Sequence, residues 1–170
     1  GTGKTGAFGI PIIEKLVQGS KHVQALIMAP TRELAIQVTE ELNSFCEEKK
    51  LRITAIYGGQ PIDRQIDKLR RGVDIVVGTP GRILDHINRK TLDISKLAYI
   101  VLDEADEMLN MGFKEDINEI LESTPAFKRT WLFSATMPRE VERIASNYME
   151  DPIKITVGTK NSSAANIEHK

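Results

Sequence analysis

Tyr99-Ile100-Val101-Leu102-Asp103-Glu104-Ala105-Asp106 decides how this chain is read. Four apolar residues run without alternation into two adjacent carboxylates, then a small residue and a third carboxylate. Apolar at every position, the run predicts a strand buried on both faces of a parallel sheet. Its end in acid puts Asp103 and Glu104 at the sheet's carboxyl edge, where open α/β sheets bind ligands. Carboxylates are costly to bury there unless they are paired or hold a metal. Acidic residues also suit a helix N-terminus, so the same letters fit a strand followed simply by a helix.

On both sides of this stretch, apolar runs alternate with amphipathic ones. Strands are predicted over residues 23–29, 52–57, 73–77, 97–102, 130–133 and 153–157. Helices are predicted over 5–17, after Thr31, over 61–71, after Thr79-Pro80, and from Pro138 to about Met149. A single helix carries Met108, Leu109, Met111 and Phe113, with Ile117, Ile120 and Leu121 continuing its apolar face. In the polar helix over 61–71, Ile62, Ile66 and Leu69 point inward and the charges are solvated. Strand and helix in alternation predict a three-layer, doubly wound α/β domain around a mostly parallel sheet.

The chain opens on Gly1-Thr2-Gly3-Lys4-Thr5, the second half of a phosphate-binding loop. Glycines let backbone N–H groups close on phosphate oxygens, lysine reaches the β- and γ-phosphates, and the threonine hydroxyl ligates Mg²⁺. A flexible glycine-rich terminus is the plainer account of the same letters. The strand that should feed such a loop does not precede it, so the chain is expected to be a fragment.

Two further strands end alike. Residues 23–29 run into Pro30-Thr31-Arg32, and residues 73–77 into Gly78-Thr79-Pro80-Gly81-Arg82. Thr31 and Thr79 suit helix N-caps, with Pro80 at the first helical position. An arginine on a helix's first turn opposes the dipole and needs another reason to be there. Two such arginines after two strands suggest one extended anionic ligand crossing the edge. The pair Gly58-Gly59 makes a turn or admits a close phosphate. Ser134 and Thr136 follow the strand over 130–133, and either cap a helix or reach the acidic strand.

Composition narrows the classes. Among 170 residues, 41% are hydrophobic and 28% charged, as in ordinary globular domains, and the net charge of −1 gives no polycationic field. Nucleic-acid contact would therefore come from local groups. The lone Cys46 allows no internal disulfide and suits a reducing compartment. His22 and His86 lack neighbours at zinc-ligand spacing. No run reaches transmembrane length or resembles a signal peptide, so a cytoplasmic protein is expected, with no membrane partner.

Together G-T-G-K-T (1–5), P-T-R-E-L-A (30–35), Gly58-Gly59, T-P-G-R (79–82), D-E-A-D (103–106) and S-A-T (134–136) resemble the DEAD-box ATP-dependent RNA helicases, most closely those of bacteria. The resemblance covers residues 1–157 as the first of two RecA-like domains, and makes 158–170 a linker and the start of the second. It implies ATP and Mg²⁺ as cofactors. Gly1, Thr2, Gly3, Lys4 and Thr5 would bind ATP, and Thr5 and Asp103 would hold Mg²⁺, partly through water. Glu104 would activate the hydrolytic water, with Lys4 and Asp103 as further catalytic groups. Asp106, Ser134 and Thr136 would couple the ATP site to RNA. Pro30, Thr31, Arg32, Gly58, Gly59, Thr79, Gly81 and Arg82 would bind RNA along its backbone. RecA-like sheets place the S-A-T strand between the phosphate-loop strand and the acidic one. The partners are RNA and the second RecA-like domain, and a monomer is expected.

The family's adenine-reading Q motif and the arginine fingers of its second domain are missing from these residues. Such fingers are worth roughly 10³–10⁵ in rate in related NTPases. These 170 residues alone are expected to hydrolyse ATP negligibly and to unwind nothing. A measurable RNA-stimulated ATPase rate from them would refute this. A phosphate-loop kinase would also open on G-K-T, but leaves T-P-G-R and S-A-T unexplained. A DNA helicase shares the acidic motif, and an ATP-gated RNA clamp shares every core motif.

Overall fold

The computed structural model describes residues 3–149, 153–156 and 166–168. Its elements run α1 (Gly3–Lys15), β1 (Ala25–Met28), α2 (Arg32–Cys46), β2 (Ile53–Ile56), α3 (Ile62–Arg71), β3 (Ile75–Gly78), α4 (Pro80–Asn88) and β4 (Tyr99–Leu102). After these come α5 (Ala105–Asn110), α6 (Lys114–Glu122), β5 (Arg129–Ser134), α7 (Arg139–Tyr148), β6 (Ile153–Thr156) and β7 (Asn166–Glu168). The strands form one sheet in the order β2-β3-β1-β4-β5-β6-β7. The first five in that order are mutually parallel, β6 extends them in the same sense, and β7 closes the edge antiparallel.

Side chains from the central strands feed two cores. Leu26, Met28, Val76, Ile100, Leu102 and Leu132 meet Ile83 of α4, Met108 of α5, Ile117 of α6 and Val141 of α7. On the other face Ala25, Ile27, Ile75, Val77, Val101 and Phe133 meet Phe8 and Ile12 of α1 and Val38 and Leu42 of α2. Being covered on both faces is why β1 and β3 are apolar throughout. The doubly wound α/β prediction is thereby met. No helix among the described residues is long and apolar enough to cross a membrane.

Strand register brings the loops together. Ile56 pairs with Gly78, Gly78 with Met28, Met28 with Leu102, and Leu102 with Leu132. Four strands therefore end on one line, β5 runs two residues further to Ser134, and the loops that leave them share one edge. Gly78 is held to glycine by packing, because a Cβ there would lie 2.6 Å from the carbonyl oxygen of Ile56 and 2.9 Å from Ile83 Cγ1.

Two expectations need correction. The single helix predicted beyond the acidic strand is two, α5 and α6. Gly112 at φ +91° breaks it, its N–H bonding the Leu109 carbonyl while the Phe113 N–H bonds that of Met108. That pair of bonds is the Schellman closure of a helix C-terminus, and Phe113 packs against the same core as Met108. In α3, Ile62, Ile66 and Leu69 are only half-buried, and the buried residue is Gln65. The stretch 157–165, most of the expected linker, lies outside the described residues.

Candidate functional site

At the carboxyl end of β4 the chain turns sharply. Asp103 is fully buried, and its N–H bonds the Met28 carbonyl of the neighbouring strand at 2.9 Å. Glu104 follows in the left-handed region at φ +53° and ψ 54°, and α5 starts immediately after it. A left-handed glutamate costs on the order of 1 kcal/mol or more, and such strain gathers at functional sites. The turn leaves the Glu104 side chain 42% exposed beside the buried Asp103.

Lys4, in the first turn of α1, reaches this corner. Its Nζ lies 2.8 Å from Asp103 Oδ1 and 3.8 Å from Glu104 Oε2. Apart from that ion pair, neither Asp103 oxygen has a hydrogen-bond partner among the described residues. Burial pushes the Asp103 carboxyl above its ordinary pKa, and the Lys4 ammonium pulls against it. A buried carboxylate with unspent lone pairs fits a hard divalent cation, which asks for oxygen ligands. Thr5, also buried, donates its hydroxyl to Glu41 Oε1 at 2.7 Å, which leaves the oxygen's lone pairs for a cation. The first turn of α1 contains no acidic residue, which suits its N-terminus to an anion. Gly3 begins that helix; Gly1 and Thr2 lie outside the described residues.

Asp106, in the first turn of α5, is tied to the end of β5. Its Oδ2 accepts from the Thr136 N–H at 3.0 Å and the Thr136 hydroxyl at 2.8 Å. Its own N–H donates to Ser134 Oγ at 3.1 Å, and that hydroxyl donates to the Thr136 carbonyl at 2.6 Å. Burial raises the Asp106 pKa, but the bonds from Thr136, Glu107 and Ser134 together outweigh it and hold the carboxyl below its ordinary value. The three residues expected to couple thus form one closed network. β5, which carries Ser134, lies between β4 and β6.

The remaining residues line the same edge. Thr31 is an N-cap, its hydroxyl accepting the Leu34 N–H at 3.1 Å, and Pro30 is buried beneath it. Arg32 lies exposed with its guanidinium 5.3 Å from the centre of the Tyr57 ring. It comes within reach of Gly59, where a Cβ would sit 3.9 Å from Arg32 Nη1. Thr79 caps α4 without using its hydroxyl, and Gly81 lies against Phe113 and Asp116. Arg82 differs from its expected twin. Its side chain is only 16% exposed, and Nη1 bonds the Gln60 carbonyl at 3.2 Å and Gln65 Oε1 at 3.0 Å. The reason is position: Arg32 is the first residue of its helix and Arg82 the third, so the two side chains leave in different directions. Gln65 and His86, which bond each other, were not expected at this edge. Gln65 falls on the inward spacing of Ile62 and Leu69, which was the available signal.

Comparisons with known proteins give the family and the fold. The model of the DEAD/DEAH box helicase family matches residues 1–144. The DEAD-box ATP-dependent RNA helicase CshA of Bacillus licheniformis is 54% identical over 168 residues, 99% of this chain and 34% of that protein. The ATP-dependent RNA helicase CshA of Listeria monocytogenes is 56% identical over 168 residues, 99% of this chain and 32% of that protein. The chain thus spans about a third of the length of these curated relatives. Among solved structures, a DEAD box protein from the hyperthermophile Methanococcus jannaschii superposes with a TM-score of 0.87 at 52% identity, over 92% of this chain and 42% of that one. A hypothetical ATP-dependent RNA helicase from Sulfolobus tokodaii gives 0.82 at 38%, over 92% of this chain and 45% of that one.

Proposed function

Because this chain belongs to the DEAD/DEAH box helicase family, we propose that residues 1–157 are the first RecA-like, ATP-binding domain of an ATP-dependent RNA helicase. Residues 158–170 then lead into a second RecA-like domain of the same protein, which works as a cytoplasmic monomer. The observation that carries the reading is the buried Asp103 carboxylate, whose side-chain partner among the described residues is Lys4, at the edge where the anion-seeking groups meet.

Gly1, Thr2, Gly3, Lys4 and Thr5 hold the phosphates of ATP, Lys4 leaving its ion pair with Asp103 for the β- and γ-oxygens. Thr5 and Asp103 hold Mg²⁺, which when bound neutralises charge developing on the transferred phosphoryl group. Glu104, exposed and loosely held, accepts the proton of the attacking water. Asp106, bound to Ser134 and Thr136, ties that turn to the next strand end, so a shift at either is felt at the other. Pro30, Thr31, Arg32, Gly58, Gly59, Thr79, Gly81 and Arg82 bind the RNA phosphates and sugars, with little call on base identity.

The test uses the full-length protein. Arg32→Ala and Arg82→Ala are each expected to weaken single-stranded RNA binding about tenfold and to reduce the salt slope by about one phosphate contact. ATPase stimulation by RNA but not DNA, together with displacement of a short RNA duplex, is the expected activity. Stimulation by DNA alone would assign the edge to DNA. Unchanged affinity and slope in both variants would remove RNA from it altogether.

A further inference from the structure

Behind Arg82 lies a buried polar chain whose hydrogen bonds can be assigned almost completely. Gln65 is 2% exposed and His86 fully buried, although the other polar side chains of the Gln65 helix are exposed. Gln65 Nε2 donates to the Tyr57 carbonyl at 3.0 Å and to Gln60 Oε1 at 3.1 Å. Both amide protons are therefore spent on the loop that holds Gly58 and Gly59. Its Oε1 faces Arg82 Nη1 at 3.0 Å and His86 Nε2 at 2.9 Å, and both must donate to it. Flipping the amide would set its NH₂ against the Arg82 guanidinium, which only donates, and its oxygen against the Tyr57 carbonyl, which only accepts, so one orientation is enforced.

His86 then carries its proton on Nε2. Its Nδ1 lies 2.7 Å from the Thr91 hydroxyl, whose single proton goes to Nδ1 when the ring is neutral and otherwise to the His86 carbonyl 3.1 Å away, which already accepts the Thr91 and Leu92 N–H groups. Burial, and next the Arg82 charge, hold the imidazole below its ordinary pKa, in keeping with a neutral ring. Arg82 Nη1 spends both its protons, on Gln60 O and Gln65 Oε1. Nη2 makes no hydrogen bond among the described residues.

We propose that Gln65, backed by His86 and Thr91, is a positioning residue that locks Arg82 Nη1 to the diglycine loop and leaves the Nη2 edge to meet an RNA phosphate. This rests on the assignment of Arg82 to RNA binding. The chain joins two segments far apart in sequence, the loop after β2 and the first turns of α4, into one preformed phosphate cradle. Its effect is pre-organisation: without Gln65 the guanidinium keeps its charge, the Gln60 carbonyl and Asp85 4.0 Å from Nε, but loses the buried anchor that fixes its direction.

A double-mutant cycle in the full-length protein tests it, with a single-stranded oligoribonucleotide as probe. Gln65→Leu is expected to weaken RNA binding three- to tenfold, to leave RNA-free ATP affinity within twofold, and to add nothing in the Arg82→Ala background. Thr91→Val, at the far end of the chain, is expected to weaken binding two- to threefold, again only when Arg82 is present. It serves as the test if Gln65→Leu does not fold. In wild type, ¹⁵N-detected imidazole spectra are expected to show His86 as the Nε2–H tautomer. Losses that add fully to that of Arg82→Ala, or that fall equally on ATP affinity, would overturn the positioning role while leaving Arg82 an RNA ligand. No loss in Arg82→Ala itself would overturn the RNA assignment, and the positioning role with it.

Discussion

Replacing Glu104 by Gln in the full-length protein is expected to lower RNA-stimulated kcat for ATP hydrolysis by about 10²–10⁴-fold, the usual worth of a positioned general base. ATP affinity should stay within a few-fold, because among the described residues the side chain makes no hydrogen bond and only a 3.8 Å approach to Lys4. Gln keeps the shape, and Glu104 caps no helix N–H, so α5 loses nothing. The left-handed backbone is equally strained in both variants and cancels. Lys4→Ala should behave differently. It removes the ammonium meant for the phosphates and strands the buried Asp103, so ATP binding falls along with kcat. Steady-state ATPase assays with saturating RNA, paired with fluorescent-nucleotide titration, separate the two effects. A Glu104→Gln enzyme retaining more than a tenth of wild-type kcat would take the base role from this residue.

The site was legible at its corners and obscure in its connections. The run into Asp103 could be read because β4 is covered on both faces, and a strand so covered carries no polar residue until it ends. Thr31 and Arg32 could be placed because a cap and its first turn are local. Gln65 could not, because the polar side chains of its helix read as solvated. A polar residue on the inward spacing is the sign of a buried network, and its partners lie 17 and 21 residues away. The burial of Arg82 was hidden for a related reason. Its letters match the first arginine, and only the count from the cap shows that it projects elsewhere. The break between α5 and α6 was written in Met111-Gly112-Phe113, a glycine at the helix end followed by an apolar residue. Asp74 was the largest omission. Val73-Asp74-Ile75-Val76-Val77 reads as a strand with one polar lapse, and nothing local says what the lapse is for.

Asp74 is expected to be the most costly single polar residue to remove. It sits fully buried at the edge opposite the site, just before β3. Its Oδ2 accepts the Arg52 backbone N–H at 2.8 Å and Arg52 Nε at 3.1 Å, and its Oδ1 accepts Arg52 Nη2 and Gln24 Nε2, each at 3.1 Å. Its own N–H donates to the Arg52 carbonyl, and its carbonyl accepts the N–H groups of Gln24 and Ala25. One carboxylate thus ties together the entries of β1, β2 and β3, of which β1 and β3 run into the arginine loops and β2, at the sheet edge, into the diglycine loop. Asp74→Ala leaves the part-buried Arg52 N–H and one of the two Gln24 amide protons without an acceptor, the other keeping the Val17 carbonyl, and with the lost charge-assisted bonds should cost about 3–5 kcal/mol. For a domain of this size that is a fall in Tm of roughly 6–20 °C, at about 2–4 °C per kcal/mol. Arg52→Ala should cost less, since its guanidinium is 44% exposed and the other donors remain. The two losses should not add, because Asp74→Ala already removes the acceptor of three Arg52 donors. Urea denaturation of the four proteins of this cycle measures both terms. A loss under 1 kcal/mol for Asp74→Ala, or full additivity with Arg52→Ala, would mean the strand entries are held by packing alone.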